Sequence, residues 1–164
     1  MEPRVRRIRP DEGATLKALR IRALTDAPDA FAQTVANVSR KTDADWAADA
    51  IRWATSSEAA SFFAEADGTI IGMAGVFIDA AGGELVAMWT APDARRQGIA
   101  QALIATIAQW CRDAGLTELR TGVAVGNTPA ATLCEHVGFE ASGEIRPLGS
   151  DPQRTERRYR RVIA

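Results

Sequence analysis

The chain contains only two cysteines, one histidine and one tyrosine. Two cysteines and a single histidine supply no set of metal ligands at a recognised spacing and no disulfide framework. No apolar run is long enough to span a membrane, and no h-region follows the N-terminal arginines. The expectation is a soluble cytoplasmic protein without a metal. An overall excess of one charge is also missing, since 20 Lys and Arg stand against 21 Asp and Glu. Internal repeats, low-complexity tracts and interdomain linkers are absent too. At 164 residues and 46% hydrophobic, the chain can bury one substantial core but is too short for two ordinary domains. A single domain over residues 1–164 is predicted.

What charge there is lies unevenly. Arg4, Arg6, Arg7 and Arg9 crowd one end and Arg154, Arg157, Arg158, Arg160 and Arg161 the other, which leaves the middle acidic. That split would suit a cationic substrate at the centre or a nucleic acid at the ends, yet the alternation in "RVRRIR" also suits the solvated face of an edge strand. Without interleaved aromatics the arginines make a poor nucleic-acid surface.

Periodicity and punctuation alternate along the chain. "RVRRIR" reads as a strand, "DEGATLKALRIRAL" as a helix broken by "DAPDAF", and "WAADAIRW" as a second helix behind a capping box of Thr42 and Asp45. "SFFAEA" and "TIIGMAGVFI" meet at a hairpin signal, Asp67-Gly68, and the nearly all-apolar "ELVAMWT" follows as a strand covered on both faces. A helix from about Ile99 to Ala114 leads to "LRTGVAV", so these two strands should run parallel. Thr128 reads as the cap of a fourth helix closed by Gly138, "FEASGEI" and "TERRYRRVI" complete the sheet, and "RPLGSDPQR" reads as an exposed loop.

The turn before the third helix carries two arginines and a glycine where the helix dipole favours anions. Gly98 removes a side chain where a phosphate must approach the backbone, Ala100 keeps the next approach small, and the first helical N–H groups are unpaired. Together with Arg95 and Arg96 they make an anion cradle. It is neither a Walker loop nor a G-x-G-x-x-G fingerprint.

"ELVAMWTAPDARRQGIAQALI" resembles the coenzyme-A-binding motif of the GNAT superfamily of N-acetyltransferases, whose turn reads Gln/Arg-x-x-Gly-x-Gly/Ala. A second block, "NTPAATLCEHVGF", is similar to the family's Asn-x-x-Ala-x-x-Leu-Tyr-x-x-x-Gly-Phe and matches it at Asn127, Ala130, Leu133, Gly138 and Phe139. The resemblance implies a mixed α/β fold, with a central sheet of about seven strands, four helices, and parallel central strands splayed around the coenzyme. It implies acetyl-CoA as the acetyl donor, with Met88, Trp89 and Thr90 holding pantetheine in the splay. Arg95, Arg96, Gln97, Gly98, Ile99, Ala100 and Gln101 would take the pyrophosphate, and Asn127 would help hold the pantetheine arm. It further implies transfer to a small-molecule amine or a peptide, by a monomer or homodimer. Phe31, Trp46 and Trp53 lie in the segments that line the acceptor site in the family, although aromatics at helical spacing also serve as core.

Acetylating an amine at neutral pH requires its ammonium to lose a proton, because a lysine-like amine has an unperturbed pKa of about 10.4. Glu84, at the start of the motif strand, stands where the histone-acetyltransferase branch has its catalytic glutamate. It would relay the proton through water, or it ends a solvated "AAGGE" turn. Some ribosomal-protein acetyltransferases carry the base on the next strand, where this chain has Gly122. The family's tyrosine acid is replaced by Cys134, either a short substitute donor or plain packing. The one tyrosine, Tyr159, is on the last strand and is no obvious replacement. His136, two residues from Cys134 on a helix, cannot face it and reads as solvated. The missing tyrosine also leaves open a catalytically weak acyl-CoA-binding regulatory module.

Overall fold

The computed structural model describes residues 2–164. Strands β1 (Arg4–Arg7), β2 (Ala59–Ala66), β3 (Thr69–Asp79), β4 (Gly82–Thr90), β5 (Glu118–Ala124), β6 (Glu140–Pro147) and β7 (Thr155–Val162) form one sheet. Its order is β1-β2-β3-β4-β5-β7-β6. Among the described residues only β4 and β5 run parallel, and every other neighbouring pair is antiparallel.

Among the described residues the α-helices are α1 (Gly13–Asp26), α2 (Val35–Ser39), α3 (Asp43–Thr55), α4 (Ile99–Asp113) and α5 (Thr128–His136), five rather than the four expected. The extra one, α2, is too short for a periodic signal. A capping box holds it, in which the Thr34 N–H donates to Asn37 Oδ1 (2.9 Å) and the Asn37 N–H to Thr34 Oγ1 (3.1 Å). An asparagine stands where the usual box has Glu or Gln.

Local chemistry explains most other boundaries. Asp67 and Gly68 both have positive φ, 52° and 79°, the backbone twist that a two-residue hairpin loop demands. Thr42 caps α3 reciprocally with Asp45. At α5 the cap is Asn127 and not Thr128, because Asn127 Oδ1 accepts the Ala130 N–H at 3.3 Å. Thr128 is already the first helical residue.

Helix α4 lays a stripe of Ile99, Leu103, Ile104, Ile107, Ala108 and Cys111 on β2, β3 and β4. On the opposite face α3 packs against β2 and α1 against α3, with Trp53 close above Gly75. Of the terminal arginines, Arg4, Arg9, Arg157 and Arg160 are exposed, but Arg6 and Arg7 are not on a solvated face. Arg6 makes a two-pronged pair with Glu12 at 2.7 and 2.9 Å, and Arg7 donates to the carbonyls of Trp53, Ser56 and Ala59. β1 is an edge strand as expected, but Arg6 and Arg7 dock the helices to it.

The stretch read as an exposed loop also differs. Arg146 and Pro147 end β6, Leu148 is buried, and Arg154 Nη2 donates to the carbonyl of Phe31 at 2.6 Å. Turn residues mark where a chain reverses, not what it rests on. Among the described residues no helix is long and apolar enough to cross a membrane.

Candidate active site

The parallel strands separate early. Pairing between β4 and β5 runs through Gly83↔Leu119, Glu84↔Arg120 and Leu85↔Thr121 and then stops, and Thr121 Oγ1 donates to the Leu85 carbonyl at 3.1 Å across the fork. The cause is a bulge in β4. Gly75 of β3 pairs with Val86 and Met73 with Trp89, so β4 carries an extra residue here, and Ala87 adopts φ 54°. A bulge bends its strand and frees backbone groups from the ladder. Met88, Trp89 and Thr90 therefore follow on the diverging prong, with Trp89 buried and its Nε1 donating to Asp26 Oδ2 at 2.9 Å. Asn127 sits at the end of the other prong, where β5 gives way to α5.

Beyond β4 the chain turns through left-handed conformations at Arg96 (φ 64°) and Gly98 (φ 79°) into α4. No side chain caps α4. Its first helical bond is donated by the Ala102 N–H to the Gly98 carbonyl at 3.0 Å, so the N–H groups of Ile99, Ala100 and Gln101 have no partner within the helix. An anion is the natural complement of such an end. Gln97 Nε2 donates back to the Asp93 carbonyl at 3.4 Å. The two arginines are not equivalent. Arg95 is ion-paired to Asp26 and donates from Nε to the Thr90 carbonyl at 3.1 Å, whereas Arg96 is exposed and has no ion-pair partner among the described residues.

On the face that carries α1 and α3, a cavity of about 440 Å³ opens beside the fork. Its walls include Phe31, Trp46, Trp53, Glu84, Gly122 and Glu156. Phe31 and Trp46 are buried and also belong to the core. Lys41 stands 4.2 Å over the Trp46 ring and is ion-paired to Asp49, and Arg20 covers Phe31 at 5.4 Å.

Glu84 does not end a solvated turn, since it is only 6% exposed. Arg158 Nη2 donates to its Oε1 at 2.5 Å, and Arg120 Nη2 lies 3.7 Å from the same oxygen. Arg158 is itself buried. Burial disfavours its charge, but the hydrogen bond and charge of Glu84, followed by those of Glu156, raise its pKa above the ordinary guanidinium value.

Cys134 is 2% exposed and lies outside the cavity walls. Burial, then the neighbouring Glu135 charge, push its thiol up to about 11. His136 is exposed. Among the described residues no group of three His, Cys, Asp or Glu is placed to hold a metal.

Sequence reasoning missed Glu156, Arg158, Arg20 and the Lys41–Asp49 pair. The period of two in "TERR" puts positions 156 and 158 on one face of β7. Nothing in the sequence reveals that this face meets Glu84, because β7 reaches β4's neighbourhood only through β5.

The sequence profile of the acetyltransferase (GNAT) family matches residues 23–139. No curated protein matches the chain. Among solved structures, a GNAT-family acetyltransferase from Streptococcus pneumoniae is similar with a TM-score of 0.83 at 19% identity, covering 99% of this chain and 100% of that one. YncA of Salmonella typhimurium, solved with its cofactor acetyl-CoA, has a TM-score of 0.79 at 13% identity over 100% and 95% of the two chains. The PaiA N-acetyltransferase of Thermoplasma acidophilum, in complex with coenzyme A, has a TM-score of 0.77 at 15% identity over 99% of each.

Proposed function

Because this chain belongs to the acetyltransferase (GNAT) family, we propose that it is an N-acetyltransferase moving an acetyl group from acetyl-CoA to the primary amine of a small molecule. The observation that carries the reading is the fork between β4 and β5, with an unpaired helix end on one side and a carboxylate-bearing cavity on the other.

The residues present fit the coenzyme. Arg96 and Gly98 hold the turn in left-handed conformations, so the backbone faces the ligand without an intervening Cβ at Gly98. The N–H groups of Ile99, Ala100 and Gln101, with the Arg96 guanidinium and Gln97 nearby, would hold the pyrophosphate. Arg95 would act mainly through its pair with Asp26, bracing the end of β4. Met88, Trp89 and Thr90 on one prong and Asn127 on the other would hold the pantetheine arm. Acetyl-CoA, when bound, supplies an activated acetyl group whose departing thiol is a good leaving group.

The rest of the chemistry is this chain's own. Glu84 accepts a proton from the incoming ammonium, directly or through a water, and Arg158 holds the carboxylate at the cavity wall. Phe31, Trp46 and Trp53 enclose the body of the amine and exclude water. Cys134 packs the α5 core and does not donate a proton. A thiol near 11 would lose a proton to an ordinary thiolate of pKa about 8.5 only uphill, by about 3 kcal/mol.

Two measurements test the reading. Acetyl-CoA should raise the melting temperature, because a ligand bound only by the native state stabilises it. A screen of primary amines and peptides followed by CoA release should yield a small amine as the best acceptor. No thermal shift would remove the coenzyme assignment, and turnover confined to peptides would remove the small-molecule one.

A further inference from the structure

Glycine at position 122 leaves room that another part of the chain fills. A Cβ built there would overlap the carboxylate of Glu156, which crosses from β7 to lie over the β5 backbone. Arg158 Nη1 lies close to the same point, at 2.8 Å. β5 and β7 pair with Gly122 opposite Arg158 and Ala124 opposite Glu156, so both β7 side chains project on the face that bears Glu84 and the cavity.

The arrangement is held by one buried guanidinium between two carboxylates. Arg158 donates from Nη2 to Glu84 Oε1 at 2.5 Å and from Nη1 to Glu156 Oε1 at 3.1 Å. Arg146 Nε donates to that same Glu156 Oε1 at 2.9 Å. Every hydrogen bond to the Glu156 carboxylate from the described residues thus falls on Oε1, and Oε2 is left over the glycine. The Arg146 side chain is 44% exposed and screened by water, while Arg158 is 5% exposed. At the cavity wall two carboxylates share one buried cation, Arg120 and Arg146 supply further charge at its rim, and Glu156 Oε2 is left without a donor from the described residues.

We propose that Glu156 is a second acceptor-site carboxylate, which with Glu84 receives the substrate's ammonium group, and that Gly122 is the opening that admits it. This rests on the acetyltransferase reading above and names the residue that binds the amine before Glu84 takes its proton. Glu156 accepts a hydrogen bond from the ammonium through Oε2 and keeps it next to Glu84. One N–H proton then passes to the Glu84 carboxylate, leaving a neutral amine and a neutral carboxylic acid.

The test uses the full chain with saturating acetyl-CoA and propylamine as the probe, small enough for the cavity to admit, with CoA release followed from pH 7 to 10.5. Glu156→Gln should raise KM for propylamine about tenfold or more near pH 7.5, the scale of one charged hydrogen bond. KM for acetyl-CoA should not change. The defect should shrink as pH approaches about 10.4, where the ammonium is lost. Gly122→Ala should act in the same direction with Glu156 still present, because the methyl displaces the carboxylate. The double variant should be no worse than the more impaired single, since both remove one contact. Unchanged KM for propylamine in both variants would overturn the proposal. So would a defect that is independent of pH and equally present in KM for acetyl-CoA, which is what a merely structural Glu156 would give. Absence of saturable propylamine turnover by the wild type also counts against it, while a retained acetyl-CoA thermal shift would leave the coenzyme reading standing.

Discussion

At the scale of single residues, Glu84 faces a cavity whereas Cys134 is only packed. Glu84 has a cavity wall, a buried cation and a place beside the fork. Replacing it by Gln keeps a hydrogen-bond acceptor for Arg158 but removes the proposed base. Turnover of the best amine acceptor should fall by about 10² or more, with the acetyl-CoA thermal shift retained and the loss shrinking at high pH. Wild-type turnover at neutral pH would move the base elsewhere. Cys134 has burial alone. Cys134→Ala should lower the melting temperature through lost contacts and leave the chemical step within a few-fold, as steady-state kinetics beside a thermal melt will measure. A large fall in kcat at unchanged melting temperature would make the thiol an acid after all.

At the scale of elements, the turn from Ala94 into α4 does its work through backbone. Gly98 is left-handed and exposed, and no side chain caps the helix behind it. Gly98→Glu would place a side chain on a strained backbone and a negative charge where the helix end attracts anions. The acetyl-CoA-induced rise in melting temperature should disappear, while circular dichroism retains the helical signal of the fold. The same turn shows what a motif leaves out. Arg95 and Arg96 are adjacent in sequence and both exposed, yet the backbone directs one to Asp26 and leaves the other without an ion-pair partner among the described residues. A thermal-shift comparison of Arg96→Ala and Arg95→Ala should find the larger loss of coenzyme affinity at Arg96.

At the scale of the whole molecule, ion pairs tie the first strand and first helix to the sheet and make stability depend on pH. Glu12 pairs with Arg6, and hydrogen bonding by Arg6 holds its carboxyl below the ordinary carboxylate range despite burial. The hydrogen bond from Trp89, then the one from Arg95, lower Asp26. A carboxylate whose folded pKa is depressed contributes stability that is fully present above its unfolded value. That stability is lost as pH falls toward the folded value. Melting temperature should therefore hold near neutrality and decline below about pH 4.3. Glu12→Gln should lower it at pH 7 and flatten that acid limb, a change that melts at several pH values will register.

The local signals of this chain were legible because each depends on neighbours in sequence. The Asp67-Gly68 hairpin, the Thr42–Asp45 box, the apolar stripe of α4 and the two motif blocks are all short-range patterns, and they determined the elements, the parallel run of β4 and β5 and the family, whereas the insertion of β7 between β5 and β6 was not legible. Helix α2 was not legible because five residues carry less than two turns of periodicity. The proposed acceptor side was decided by tertiary structure. Glu84, Gly122, Glu156 and Arg158 are scattered over three strands, and only the pairing of β5 with β7 brings a carboxylate over a glycine and a guanidinium between two acids. Composition could say that arginines crowd the chain's ends, but their partners lie up to 126 residues away, as in Arg154 on Pro28. Charge interactions follow distance in space, and sequence records distance along the chain.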